Sequence, residues 1–222
     1  MSRGQLQQTD CTLHINEIFH SIQGESLKTG LPSVFIRLTG CPLRCSYCDT
    51  VYAFHNGEKM HIDEILTRII AYRTKHVVVT GGEPLAQKNC IALLTRLCDE
   101  GFDVSLETSG ALTLGKVDPR VMKIVDIKTP GSGEVDKNRF HALNDITHND
   151  QIKFVICDRN DYKWSVQKIN EYRLADRCEV LFSPSYDQLA PKTLAAWILE
   201  DGPPVRLQLQ IHKFLWGDAP GH

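Results

Sequence analysis

The sequence has no excess of basic residues and no long apolar run. Among its 222 residues, 25 are Lys or Arg and 27 are Asp or Glu, which gives a formal net charge of −2. Nucleic acids and anionic membranes attract clustered positive charge, so this balance gives no reason to expect either as a partner. No stretch approaches the ~18 consecutive apolar residues of a membrane-spanning helix, and residues 1–10 do not resemble a signal peptide. We therefore predict a cytoplasmic protein with no membrane segment.

A disulfide framework is not expected either, although the chain has eight cysteines. Secreted disulfide scaffolds are usually shorter than ~80 residues. Five of the cysteines are scattered singly through ordinary globular sequence: Cys11, Cys90, Cys98, Cys157 and Cys178. We interpret these five as small buried side chains with free thiols, which suits a reducing compartment.

The other three cysteines, Cys41, Cys45 and Cys48, occupy one short segment. Two nearby thiols can form a redox pair or half of a zinc site, whereas three thiolates suit three irons of a cubane cluster. Iron–sulfur clusters normally take four cysteines, so a three-cysteine segment leaves one iron open for a substrate or cofactor. The segment therefore indicates a cluster that takes part in chemistry.

Short β-branched or apolar runs alternate with helical patterns along the chain. The strand candidates are residues 34–38, 76–80, 104–107, 123–127, 152–156, 179–182 and 206–211. This alternation predicts parallel βαβ units in one α/β domain over residues 1–222, with residues 1–12 poorly ordered. The pattern does not separate an open sheet from a full or partial barrel.

Polar or glycine-rich segments follow most of these strand candidates. They are the cysteine segment and residues 81–84, 108–110, 128–133 and 183–185. Parallel α/β folds collect their chemistry at the carboxyl ends of the strands, so we expect these segments to meet at one rim.

Three further features have polar groups that suit a small heterocyclic acid. In the last strand candidate, period-two alternation puts Gln208, Gln210 and His212 on one face, which either lines a substrate or is a solvent-exposed edge. Glu25 and Arg37 offer a carboxylate for an aminopyrimidine-like edge and a guanidinium for a carboxylate. The hydroxyl of Thr50 is a candidate ligand for Mg²⁺, which usually keeps few protein ligands.

The cysteine spacing at residues 41–48, together with Gly-Gly-Glu-Pro at residues 81–84, resembles the signature of the radical S-adenosylmethionine enzymes. The resemblance implies a partial, TIM-like (β/α)6 barrel and a [4Fe–4S] cluster. It also implies that the amino and carboxylate groups of S-adenosylmethionine chelate the open iron. Reductive cleavage of that cofactor then gives a 5′-deoxyadenosyl radical, which abstracts a hydrogen atom from the substrate.

Within this superfamily, the chain resembles the 7-carboxy-7-deazaguanine synthase family over nearly its whole length. The motifs that carry this resemblance are EIFHSIQGE at residues 17–25, FIRLTGC at 35–41, CDT at 48–50 and QIHK at 210–213. The implied reaction converts 6-carboxy-5,6,7,8-tetrahydropterin to 7-carboxy-7-deazaguanine and ammonia, for queuosine or another 7-deazapurine. The resemblance also implies a homodimer and a reducing partner such as flavodoxin or ferredoxin.

The resemblance assigns roles to individual positions of this chain. It implies substrate contacts by Ile22, Gln23, Gly24, Glu25, Arg37, Thr80 and His212. It implies cofactor contacts by Tyr47, Asp49, Gly81, Gly82, Glu83, Ser109, Asp126, Ile127 and Lys128. It gives the cluster to Cys41, Cys45 and Cys48, and Mg²⁺ to Thr50. Some members have Ser-Pro-Lys at positions 126–128, so the first two of these positions differ here. No catalytic acid or base is assigned, and Glu25 and His212 are candidates only.

Two alternatives remain open at this point. A glycyl-radical-enzyme activase has the same cysteine spacing but needs an open groove for a protein loop. A non-enzymatic iron–sulfur or zinc protein would use the same thiolates, although a structural zinc site is closed by four ligands and no fourth lies near this segment.

Overall fold

A single sheet of mostly parallel strands forms the framework of the protein. The computed structural model describes residues 11–217 and residue 221, and its nine strands form one sheet in the order β3-β1-β2-β4-β5-β6-β7-β8-β9. The strands are β1 Thr12–Ile22, β2 Pro32–Leu38, β3 Glu58–His61, β4 His76–Gly81, β5 Asp103–Thr108, β6 Met122–Ile127, β7 Gln151–Ile156, β8 Glu179–Pro184 and β9 Arg206–Leu207. From β2 to β9 every neighbouring pair is parallel, whereas β1 pairs antiparallel with both β2 and β3.

Helices follow most of the parallel strands; the first four cover one face of the sheet, and the fifth lies at the rim of the barrel interior. They are α1 Ile62–Ile70, α2 Cys90–Asp99, α3 Arg159–Tyr172, α4 Pro191–Asp201 and α5 Ile211–Trp216. The strand–helix alternation was predicted from the sequence, and around a parallel sheet it is the arrangement of a partial (β/α) barrel, the form that the resemblance implied. None of the helices within the described residues is long and apolar enough to cross a bilayer.

The two faces of the sheet differ: one is packed with apolar side chains under the helices, and the other lines the interior of the barrel, where the site lies. On β2, Val34, Ile36 and Leu38 are fully buried in the core that α1 and α2 cover. The alternate residues Phe35 and Arg37 point to the other face, which is the concave interior of the barrel. A second core, under α3 and α4, is built on β6, β7 and β8 in the same way. The apolar core therefore lies outside the sheet, and the interior is free to carry polar groups.

The structure departs from the predicted strands at both ends of the sheet. β1 and β3 were not predicted, and the last strand candidate is reduced to two residues, Arg206–Leu207. The prediction of poor order over residues 1–12 falls mainly on residues 1–10, which lie outside the described residues. Thr12 already pairs with His61.

Candidate active site

A cavity of about 430 Å³ opens at the carboxyl ends of the parallel strands. Loops after β2, β4, β5, β6 and β8 contribute to its wall, as the positions of the polar and glycine-rich segments predicted. The segment between β1 and β2 and the chain around α5 complete it. One pocket therefore gathers nearly all of the sequence motifs described above.

The three cysteines line one part of this cavity on the loop that follows β2. A hydrogen bond joins this loop to the segment after β6, since the backbone N–H of Ser46 donates to the carbonyl of Ser132 at 2.9 Å. Burial raises the pKa of the Cys45 thiol to about 11. Among the described residues, no three His, Cys, Asp or Glu side chains converge on one point as a single-ion site does.

Glycine is required where the loop after β4 crosses the cysteine loop. A Cβ on Gly82 would lie 2.2 Å from the carbonyl oxygen of Gly40 and 2.7 Å from Cβ of Cys41. A Cβ on Gly81 would lie 2.3 Å from the carbonyl oxygen of Leu38. Because the shortest of these contacts are with backbone oxygens, a larger residue would fit only if one of the two loops moved.

Glu83 and Ile127 do not line the cavity, although the resemblance predicted that both would contact the cofactor. Glu83 is fully buried behind the wall, where its carboxylate accepts hydrogen bonds from Thr108 Oγ1 at 2.8 Å and from the backbone N–H of Ser109 at 2.8 Å. It also caps the turn at Leu85 N, 3.0 Å away. Ile127 is fully buried in the outer core. Both side chains therefore support the wall rather than face a ligand.

The strand register brings charged side chains together inside the barrel. In parallel strands, residues in register point to the same face, and Arg37 pairs with Thr80 while Asp126 pairs with Lys153. Glu107 on β5 joins them, because its carboxylate accepts from Thr80 Oγ1 at 2.9 Å. The interior of the barrel thus carries cations and carboxylates at one level.

These charges form a chain across the cavity. Lys153 Nζ lies 2.6 Å from Glu25 Oε2 and 3.5 Å from Asp126 Oδ2, and Lys128 Nζ lies 3.2 Å from Asp126 Oδ2. Burial alone would raise the pKa of Glu25, but the neighbouring Lys153 ammonium holds it well below its usual range. Burial opposes the charge of Lys128, but the Asp126 carboxylate and, after it, Cys45 together outweigh burial and raise the pKa of the lysine. Glu25, Lys128 and Lys153 are therefore ionised at neutral pH.

An aromatic surface lies beside the charged chain. The rings of Phe19 and Phe35 stack with centroids 4.9 Å apart, and both line the cavity. Arg37 also faces the cavity, and its Nε donates to Glu17 Oε1 at 2.6 Å. The guanidinium carbon lies 5.8 Å from the centre of the Tyr52 ring. The arginine is thus fixed in direction next to a flat apolar surface.

The segment after β9 reaches the cavity as a turn and a helix, not as the predicted strand. Gln210 Nε2 donates to Glu25 Oε1 at 2.6 Å, and His212, on α5, lines the cavity. Gln208 turns away and accepts from the backbone N–H of Ser26 at 2.8 Å. The alternating face predicted for these three side chains is therefore wrong, although two of them do reach the site.

Two buried polar atoms in the wall have no hydrogen-bond partner within the described part of the chain. They are Tyr47 Oη and Asp126 Oδ1, and both residues line the cavity. A buried polar atom without a partner costs free energy, so such atoms indicate groups that a ligand satisfies. Thr50 and Asp49 lie at the same side of the cavity, and Thr50 Oγ1 is 3.8 Å from Cys48 Sγ.

Comparison with known proteins agrees with this geometry. A family model described as the radical SAM superfamily matches residues 35–126. The chain is 45% identical over 217 residues to a 7-carboxy-7-deazaguanine synthase of Chlorobaculum tepidum, covering 96% of this chain and 99% of the relative. It is 42% identical to a protein of the same name from Koribacter versatilis, covering 92% and 97%. The chain belongs to the 7-carboxy-7-deazaguanine synthase family.

The fold of this family member matches that of a solved structure. The crystal structure of QueE from Escherichia coli superposes with a TM-score of 0.74 at 24% identity, covering 90% of this chain and 94% of that one. At this identity the match supports the fold only, and it confirms the partial barrel that the resemblance implied.

Most positions that the resemblance assigns in this family member line the one cavity. They are Ile22, Gln23, Gly24, Glu25, Arg37, Cys41, Cys45, Tyr47, Cys48, Asp49, Thr50, Thr80, Gly81, Gly82, Ser109, Asp126, Lys128 and His212. Sequence reasoning missed Glu107, Lys153 and the pair Phe19 and Phe35, which line it as well. A signal for the first two was present, because a charged residue inside an apolar strand is unusual.

Proposed function

We propose that this chain is a radical S-adenosylmethionine lyase that converts 6-carboxy-5,6,7,8-tetrahydropterin to 7-carboxy-7-deazaguanine and ammonia. The observation that carries the proposal is a single cavity. It is lined on one side by the three-cysteine loop and on the other by aromatic and charged side chains that can bind a pterin. Family membership, at up to 45% identity over almost the whole chain, supports the same reaction. The conversion is redox-neutral, since substrate and products contain the same atoms.

The cysteine side of the cavity fits a [4Fe–4S] cluster with S-adenosylmethionine. When bound, this pair supplies the radical that removes a hydrogen atom from the substrate. Cys41, Cys45 and Cys48 would hold three irons, and Gly81 and Gly82, which line the cavity beside them, would face the methionine part of the cofactor. The unpartnered Asp126 Oδ1 is an acceptor that suits a cofactor hydroxyl or ammonium group.

The opposite side fits the pterin. A planar ring can stack beside Phe19 and Phe35, while the ionised Glu25, together with the side chain of Glu107, accepts hydrogen bonds from the N–H groups of an aminopyrimidine edge. The low pKa of Glu25, caused by Lys153 against the effect of burial, makes it an anchor and a poor proton donor at neutral pH. The chain thus supplies position and charge, and its cofactor supplies the difficult chemical step.

We also propose a Mg²⁺ site at Thr50, beside the cysteine loop. Thr50 lines the cavity, and its hydroxyl does not cap the short helical turn Val51–Phe54 but lies 3.8 Å from Cys48 Sγ, at the edge of the cysteine loop. Mg²⁺ binds few protein groups when a substrate carboxylate and water complete its shell, and it would hold that carboxylate in place.

Three further properties of the protein are proposals from the resemblance. They are a homodimeric state, a flavodoxin or ferredoxin as the electron donor, and a cytoplasmic location. A thiolate-bound cluster and free cysteines suit a reducing compartment.

Anaerobic reconstitution tests the proposed function directly. The reconstituted protein, with reductant, Mg²⁺, S-adenosylmethionine and the carboxylated tetrahydropterin, is expected to form the deazaguanine. A Cys45→Ser variant should lose the cluster and both reactions. A Cys98→Ser variant is the matched control, because Cys98 lies on α2 away from the cavity. Cofactor cleavage without product from the pterin would reject the substrate, and an iron-loaded protein with no cleavage would reject the enzyme class.

A further inference from the structure

Lys153 lies at the centre of the charged chain, and no sequence motif or family resemblance assigned it to the site. It stands in the middle of the buried strand β7, and its side chain is 12% exposed. Its ammonium contacts Glu25 from the segment after β1 and Asp126 from β6, at 2.6 Å and 3.5 Å. A third carboxylate, that of Glu107 on β5, adds to the negative field around it. One cation therefore serves three carboxylates from three different elements.

We propose that Lys153 is a positioning residue that keeps Glu25 ionised and aimed at the substrate while it pairs with Asp126 on the cofactor side. This inference deepens the proposed function and rests on it, because Glu25 matters only if a ligand with N–H donors binds. Lys153 is then the physical connection between the two halves of the cavity.

The need for this cation follows from the groups around Glu25. Buried carboxylates close to one another repel, and the usual outcome is that one of them takes up a proton. Around Glu25 the other groups are Gln210, which donates to Oε1 at 2.6 Å, and His212, whose charge when protonated also favours the carboxylate. Neither replaces a permanent cation. Without Lys153, burial would dominate and Glu25 would become a neutral acid in the neutral pH range.

Lys153 also affects the cofactor half of the cavity, through its contact with Asp126. Asp126 pairs with both Lys153 and Lys128, so the two ammonium groups share one carboxylate. Loss of Lys153 would leave Lys128 as the one ammonium group among the described residues that is paired with Asp126. The side chains of Asp126 and Lys128 should then move closer together. A change at Lys153 should therefore affect both halves, not the substrate half only.

Lys123 offers a matched control on the neighbouring strand. It also lies in an apolar strand and forms a buried ion pair, with Nζ 2.9 Å from Asp150 Oδ2 and side-chain exposures of 5% and 1%. It does not line the cavity. Replacing it breaks a pair of the same kind without touching the site.

The ionisation of Glu25 can be measured in the apoprotein by carbon-13 NMR of labelled glutamate carboxyl groups, with Glu25→Gln to assign the signal. In the wild type this signal should stay that of a carboxylate down to the acid limit of stability. In Lys153→Met it should titrate at a pH above the ordinary carboxyl range. Lys153→Arg should restore the wild-type behaviour, and Lys123→Met should leave it unchanged. An unchanged Glu25 titration in Lys153→Met would overturn the proposal.

Binding of 6-carboxypterin to the apoprotein, measured by calorimetry between pH 5.5 and 7.5, tests the consequence. Removal of an acceptor's charge should weaken binding on the order of 10- to 100-fold in Lys153→Met, most at low pH, where Glu25 is protonated. If Lys153→Met bound 6-carboxypterin with wild-type affinity at every pH, this result would also overturn the proposal. If the wild type itself binds no pterin, the proposed substrate is wrong, and the NMR result still decides the role of Lys153.

Folding is monitored by thermal unfolding of each variant. If Lys153→Met does not fold, the double variant Glu25→Gln/Lys153→Met removes the unpaired carboxylate and should recover stability. A double variant that is no more stable than Lys153→Met would contradict the proposed pairing.

Discussion

Replacing Gly24 with alanine should damage the site with little change in the rest of the fold. A Cβ at this position would lie 2.1 Å from His212 Nδ1 and 2.9 Å from His212 Cβ. Ordinary van der Waals contact begins near 3.4 Å, so His212 would have to move by more than 1 Å. The helix that carries it has only six residues and is joined to Gly24 by the hydrogen bond from Ile211 N to the Gly24 carbonyl at 3.1 Å. The clash should therefore push α5 outward.

The cost to stability and the cost to binding should differ. Overpacking of a rigid core costs about 1–3 kcal/mol, and α5 is partly exposed and free to shift, so we expect about 1 kcal/mol in the free energy of unfolding. The displaced helix also moves Gln210 away from Glu25. Loss of such contacts to a charged group costs about 1.5–3 kcal/mol, which is on the order of 10- to 100-fold in the dissociation constant for 6-carboxypterin.

Denaturant unfolding and calorimetry of the Gly24→Ala protein measure the two effects. The matched control is Gly115→Ala, whose Cβ would meet only the side-chain carboxylate of Asp145, at 3.2 Å. The double variant Gly24→Ala/His212→Ala should regain stability, because the ring that clashes is gone. Wild-type affinity in Gly24→Ala would refute the argument that this glycine is required by its contact with His212.

Three other predictions concern single side chains. Glu83→Gln should lower the free energy of unfolding by about 2–4 kcal/mol and weaken S-adenosylmethionine binding. The reason is that the amide N–H of glutamine would face the hydroxyl and backbone N–H donors from which the carboxylate now accepts. Unchanged stability in denaturant unfolding would contradict this. His76 is buried with Nδ1 2.7 Å from Ser33 Oγ, and burial lowers its pKa, so the folded state favours the neutral ring. Stability should therefore fall as the pH drops through the ordinary histidine pKa near 6.5, and His76→Gln should flatten that slope in unfolding measurements at pH 5–8. Thr50→Ala should weaken the Mg²⁺ dependence of product formation with the cluster intact, whereas Thr50→Ser should not; an unchanged Mg²⁺ response would remove Thr50 as a ligand.

The parts of the fold that the sequence predicted are those in which periodicity is undisturbed. The six strands β2 and β4 to β8 are short apolar runs in parallel register, and each was recognisable. β1 was missed because a bulge between Ile15 and Glu17 breaks its alternation, so its inward and outward residues change phase part-way. β3 was missed because it is a four-residue edge strand with one buried side chain, Met60.

The last segment shows how a correct pattern can lead to the wrong structure. The alternation from Arg206 to Ile211 is real in the sequence, but only two residues pair with β8. The amide of Gln208 binds both the N–H and the carbonyl of Ser26, at 2.8 Å and 3.1 Å, and so takes the chain out of the sheet toward the β1–β2 segment. Such a long-range side-chain contact has no local signature. Gln210 and His212 nevertheless line the cavity, because the predicted strand and the observed turn and helix both bring this segment to the rim.

Lys153 shows why the remaining part of the site was not predictable. Two lysines stand inside apolar strands, Lys123 on β6 and Lys153 on β7, and composition treats them alike. What separates them is the face on which each lies. Lys153 is in register with Asp126 and therefore points into the barrel with it, whereas Lys123 lies three residues before Asp126 on the same strand and points to the opposite face. Since a one-residue slip of β7 against β6 would reverse the face on which Lys153 lies, its membership of the site follows from the pairing register, which only the folded sheet defines.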